Sequence, residues 1–89
     1  MSWDYKIEAS ALHGLRNLGH AARAEIIGYL DQRIRGASDP RVFGKSLKHQ
    51  LKGLWRYRVR DWRLLCRLQD GVCIVVVVVD VGHRSGIYD

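Results

Sequence analysis

The 89-residue chain holds two cysteines, one proline and no long apolar run, and each scarcity excludes something. Cys66 and Cys73 are too few for a disulfide framework. Neither belongs to a Cys-x-x-Cys or Cys/His cluster, so no metal site is expected. Both lie in apolar, strand-like runs and read as small buried hydrophobes. The sequence shows no repeat, linker or low-complexity tract, and a single domain over residues 1–89 is expected. The longest apolar stretch, Val72–Val79, is eight residues long. A spanning helix needs about 20, so no membrane segment is expected. The first residues lack the basic, apolar and small-residue order of a secretory leader, which makes the cytoplasm the expected location.

Acidic residues are also scarce, nine against 15 Lys and Arg, for a net charge of +6. The imbalance is local. Arg41–Arg63 holds eight Lys/Arg (Arg41, Lys45, Lys48, Lys52, Arg56, Arg58, Arg60, Arg63) and one acid, Asp61, while the rest of the chain nets −1. A solvated cationic surface normally intersperses both signs. A one-sign block of this kind suits a polyanion-binding face.

What remains is patterned as a small α+β domain. Trp3-Asp4-Tyr5-Lys6-Ile7-Glu8 alternates apolar and polar and predicts a half-buried strand. Ser10 is positioned to cap a first helix carrying Leu12, Leu15 and Leu18, with Gly19 as its stop. A second helix is expected over His20–Arg35, with Ala22, Ile26, Ile27, Leu30 and Ile34 as its apolar stripe. Gly36 and Ser38-Asp39-Pro40 end it, and Phe43–Gly53 reads as a basic loop.

In Trp55-Arg56-Tyr57-Arg58-Val59-Arg60 the alternation puts Trp55, Tyr57 and Val59 on one face and Arg56, Arg58 and Arg60 on the other. Arginines on one face repel, and a polyanion would offset that. A turn at Arg60-Asp61, a strand Trp62–Leu68, a turn at Gln69-Asp70-Gly71 and a strand Val72–Val81 complete the chain. The valine run predicts a central strand buried on both faces. The order is β-α-α-β-β-β, read as an antiparallel sheet with a helical hairpin packed on one face.

Three motifs resemble one known family. Leu54–Val59 with Asp61-Trp62-Arg63-Leu64-Leu65 is similar to the central hairpin of the RelE/ParE toxin superfamily. Val81-Gly82-His83-Arg84 with Tyr88 resembles the ending of its RelE branch, and Asp39-Pro40-Arg41 with Gly44-Lys45-Ser46-Leu47 resembles its connector. The resemblance runs over essentially the whole chain. It implies the bacterial-RNase-like α+β fold and a type II toxin. Its partner would be an acidic antitoxin that covers the basic face, with operator DNA reached through that antitoxin. In the RelE branch the activity would be endonucleolytic cleavage of mRNA on the ribosome, without metal or cofactor. In the ParE branch it would be inhibition of DNA gyrase without catalysis.

Carried over by motif, Arg63 and Arg84 would be the catalytic, phosphate-contacting arginines. Tyr88 would act as a base or stack on a nucleobase, and Arg56 and Arg58 would contact RNA, with Lys45, Lys48, Lys52 and Arg60 adding charge. His83 would serve as general acid or base, or else point away from Arg84, since adjacent strand residues face opposite ways. Trp55, Tyr57 and Trp62 are expected in the core, and His13, His20 and His49 on the surface. The chain departs from the motif where Arg60 replaces a turn glycine, which predicts a strained positive φ. It also ends one residue after Tyr88.

Overall fold

A computed structural model of the chain describes residues 2–80. In it, β1 spans Asp4–Ile7, α1 Ala9–Arg16, α2 His20–Tyr29, β2 Lys45–Ser46, β3 Trp55–Val59, β4 Trp62–Gln69 and β5 Val72–Asp80. The five strands form one sheet in the order β1-β5-β4-β3-β2. The meander β3-β4-β5 is antiparallel, as the turn signals predicted, and both its turns need left-handed backbone. Asp70 and Gly71 have φ of 53° and 79°, the I′ pattern, and Arg60 has φ of 52°. The strained arginine anticipated from the sequence is therefore present.

The sheet is mixed rather than wholly antiparallel, because β1 pairs with β5 in parallel. The register places Tyr5 opposite Cys73 and Ile7 opposite Val75. The sense of the pairing follows from α1, which starts two residues after β1 and packs across β5. An antiparallel β1 would deliver the chain to the wrong end of β5. A further departure lies in the segment expected to be a loop. Lys45 and Ser46 pair with Arg56 and Trp55, making β2 a two-residue edge strand.

The helical hairpin is present, with shifted ends. Ser10 lies inside α1, which Glu8 precedes without a side-chain cap, and Asn17 closes it. Gly19, at φ 94°, precedes α2 rather than merely stopping α1. The second helix keeps α geometry only to Tyr29. Leu30–Ile34 then form a wider π turn, marked by the Arg35 N–H donating to the Leu30 carbonyl at 2.9 Å. Ile26, Leu30 and Ile34, one row of the expected stripe, are fully buried.

They pack on a sheet face built from Tyr57, Val59, Leu64, Cys66, Cys73 and Val75, with Trp55 and Trp62 against the same core. The aromatic residues of the hairpin are thus core residues, as alternation implied. The Tyr57 hydroxyl donates to the Pro40 carbonyl at 2.9 Å, anchoring the connector on the helical side. Cys66 and Cys73 are fully buried neighbours in this core. Its proximity to Cys73, together with burial, pushes the Cys66 thiol well above the ordinary thiol range.

β5 lies inside the sheet, between β1 and β4. Its expected burial on both faces holds on one only, since Val77 remains 40% exposed. A bulge explains how so uniform a sequence changes face. Leu65 pairs with Val77 and Cys66 with Val75, leaving Val76 extra. No helix among the described residues is long and apolar enough to cross a membrane.

Candidate nucleic-acid interface

The face of the sheet away from the helices carries the cations. On β3 it presents Arg56 and Arg58, and on β4 Arg63, Leu65 and Arg67, because side chains two apart share a face. Cross-strand register brings them together. Arg58 stands opposite Arg63, and Arg56 stands between Lys45 on β2 and Leu65 on β4. Directly opposed residues sit about 4.5–5.5 Å apart at Cα, and successive same-face positions about 6.8 Å apart along a strand. The result is two cationic rows, Arg58–Arg63 and Lys45–Arg56, one strand repeat apart. Like charges directly opposed destabilise a sheet. An arrangement that concentrates them is suited to an anionic ligand.

The two arginines of the first row differ in environment. Arg58 is exposed and its Nε donates to the Arg60 carbonyl at 3.2 Å. Arg63 is only 4% exposed, followed along the strand by the fully buried Leu64 and Leu65. Of the other expected contacts, Arg60 leaves the row. It belongs to the turn, not the strand, and its Nε lies 3.6 Å from Glu25 on α2. Lys48 and Lys52 are exposed beside the short 3-10 turn His49–Leu51 between β2 and β3. His83, Arg84 and Tyr88 lie outside the described residues. His13, His20 and His49 are exposed, as expected.

Sequence reading missed part of this face. Arg67 extends the β4 row two positions beyond Leu65, and its Nη2 is paired with Glu8 at 2.8 Å. Lys6 on β1 stands opposite Ile74, which also faces Arg67. The signal for Arg67 was the same period of two that marks Arg63. Ile74, Val77 and Val79 on β5 complete the face, which is cationic over β2–β4 and aliphatic over β5.

The described residues thus form a small α+β domain with a cationic sheet face backed by a helical hairpin. The comparisons with known proteins agree. Residues 5–88 match the family model described as ParE toxin of type II toxin-antitoxin system, and the chain belongs to that family within the RelE/ParE superfamily. No sequence among the curated proteins matches. Among solved structures, the chain is similar to the toxin-antitoxin complex RelBE2 from Mycobacterium tuberculosis. The TM-score is 0.80 at 21% identity, with 90% of this chain and 92% of that one covered. The archaeal RelE-RelB complex from Pyrococcus horikoshii gives 0.67 at 20% identity, covering 92% and 98%. The Helicobacter pylori protein HP0894 gives 0.63 at 16% identity, covering 90% and 96%. The α+β fold expected from the sequence is the fold of these proteins.

Proposed function

We propose that this type II toxin is a metal-independent endoribonuclease that cleaves mRNA on the ribosome and so arrests translation and growth. The observation that carries this reading is the directly opposed pair Arg58–Arg63, with Lys45–Arg56 one strand repeat away. RNA supplies its own nucleophile. The 2′-hydroxyl attacks the adjacent phosphorus, loses its proton, and expels the 5′-oxygen, leaving a 2′,3′-cyclic phosphate. The protein must align the chain and stabilise the extra negative charge on phosphorus. Arginine suits this, because its planar fork meets two phosphate oxygens and stays charged. In this reading Arg58 offers an accessible charge and Arg63 a desolvated one, which is worth more per contact. Arg84 adds a further cation, His83 and Tyr88 supply proton transfer or base stacking, and Lys48 and Lys52 steer the polyanion. The antitoxin is an acidic protein whose segment covers the Arg56–Arg58–Arg63 face, as befits a fold shared with chains solved in toxin-antitoxin complexes.

The matched family model favours a second reading, a gyrase inhibitor without catalysis. Induction in growing cells separates the two. Primer extension should reveal new 5′ ends inside translated codons, and supercoiling by purified gyrase should be untouched. Intact transcripts with loss of supercoiling would reverse the assignment. R63A and R84A should each relieve growth arrest while the protein remains folded.

A further inference from the structure

The open face of the sheet holds a second, smaller arrangement beyond the two cationic rows. Arg67 stands opposite Ile74, and the Glu8 backbone N–H donates to the Val75 carbonyl at 2.9 Å, so Glu8 sits at the outer edge of β5. The 2.8 Å contact from Arg67 Nη2 to Glu8 Oε2 therefore reaches across β5, from β4 to the end of β1. Next along β5 on the same face comes Val77, directly opposite Leu65. Leu65 is buried, but Val77 is 40% exposed, one of three large apolar residues left so open among the described residues. An uncovered apolar step thus lies beside an arginine whose guanidinium a carboxylate holds in place.

Folding does not account for the pair. Both side chains are partly exposed, at 47% and 33%, and an ion pair in that setting contributes little. Its effect is to change what Arg67 can bind. Arg56 and Arg58 make no ion pair among the described residues and keep their full charge for phosphate. Arg67 has its charge offset by Glu8 and N–H donors to spare, which suits hydrogen bonding to a neutral group. We propose that Val77, Arg67 and Glu8 form a base-reading subsite for a guanine of the bound RNA, an inference that rests on the RNA-cleaving reading above. The base lies against Val77, and Arg67 donates two hydrogen bonds to guanine N7 and O6. Adenine sets a donor beside its N7, and the two uracil carbonyls flank an N–H, so neither accepts both bonds. Cytosine offers N3 and O2, but its single ring covers less of the apolar step. Arg67 lies four residues from Arg63 on β4, about 14 Å along the strand. The base it reads therefore belongs to a nucleotide near the phosphate held at Arg58–Arg63, splayed out as bases in single strands can be.

The test uses the full chain and fluorescein-labelled, 2′-O-methylated single strands, whose blocked nucleophile prevents cleavage. Each strand is uridine throughout except at one central position. By anisotropy, wild type should bind the central-G strand roughly tenfold tighter than the all-U strand, with central A and central C well below G. R67K keeps the charge and loses the fork, so it should lose this preference and hold the all-U strand as wild type does. V77S should reduce the preference several-fold. E8Q releases Arg67 to meet phosphate. Its preference should fall, and its slope of log K against log salt on the all-U strand should steepen by about 0.7. The proposal is overturned if wild type shows no preference for G, if central C binds as tightly, if R67K keeps the preference, or if E8Q leaves preference and slope unchanged. Any of these results, with R58A still weakening every strand, leaves the RNA-cleaving reading in place. Wild type that binds no strand overturns both.

Discussion

Tyr57 carries a hydroxyl into an apolar core, and the Pro40 carbonyl 2.9 Å away is what makes that tolerable. Replacing it with phenylalanine leaves that carbonyl without its donor. Y57F should lower the unfolding free energy in urea by about 1–3 kcal/mol. The same burial pushes the Tyr57 phenol far above its ordinary 10.0, with the buried cysteines and Tyr29 adding to it. The folded state therefore keeps a proton that the unfolded chain releases above pH 10. Stability from this group is fully present below pH 10 and falls as pH rises through the native value. Tyr5 and Tyr29 are raised chiefly by burial too, so an alkaline limb should persist in Y57F with a shallower slope. An unchanged slope would contradict the assignment. Gly44 makes a related demand. A Cβ there would lie 2.8 Å from both the Arg56 carbonyl and the Tyr57 ring, so G44A should destabilise by about 1–3 kcal/mol through backbone displacement, measured the same way.

At the scale of elements, the β3–β4 turn holds Arg60 at φ 52°, where an L-residue costs about 1–2 kcal/mol. Glycine removes that cost but adds freedom to the unfolded chain, worth about 0.5–1 kcal/mol. The exposed Arg60–Glu25 pair contributes little. R60G should thus be more stable than wild type by about 0.5–1 kcal/mol in urea unfolding, and E25Q should be near neutral. Destabilisation of R60G would mean the Glu25 contact outweighs the turn strain. The position of this turn was legible from the alternation of Trp55–Val59 and Trp62–Gln69 on either side of it, while its strain was legible only through the resemblance, whose motif has glycine where this chain has Arg60. Helix ends were less legible. Ser10 was expected as a cap, yet Glu8 leads directly from β1 into α1 and the hydroxyl falls one position inside. The π turn at Leu30–Ile34 and the parallel pairing of β1 carry no local signature. They follow from packing against β5 and the core, which a linear pattern does not encode.

Across the whole molecule, charge and apolar surface separate by face. The helices cover one side of the sheet, and Lys45, Arg56, Arg58, Arg63 and Arg67 gather on the other. The basic block was plain in the sequence, but its division was not. Arg60 turns to Glu25 on α2, and Arg41 leaves the face to lie 5.4 Å and 5.9 Å from the rings of Trp3 and Trp55. Arg67 joins from outside the block. Burial of Arg63 had no sequence signal either, since it depends on neighbouring strands. Salt dependence of binding reads how many of these cations meet phosphate. For single-stranded RNA, log K falls against log salt with a slope of about −0.7 per phosphate neutralised. With Lys45, Arg56, Arg58 and Arg63 engaged, wild type should show a slope near −3, measured by anisotropy with a labelled single-stranded oligonucleotide. R56A and R58A should each flatten it by about 0.7. R63A separates two roles for the buried arginine. Phosphate contact predicts the same flattening together with loss of cleavage. A lost cleavage rate with an unchanged slope would mean that Arg63 organises the face without touching the RNA.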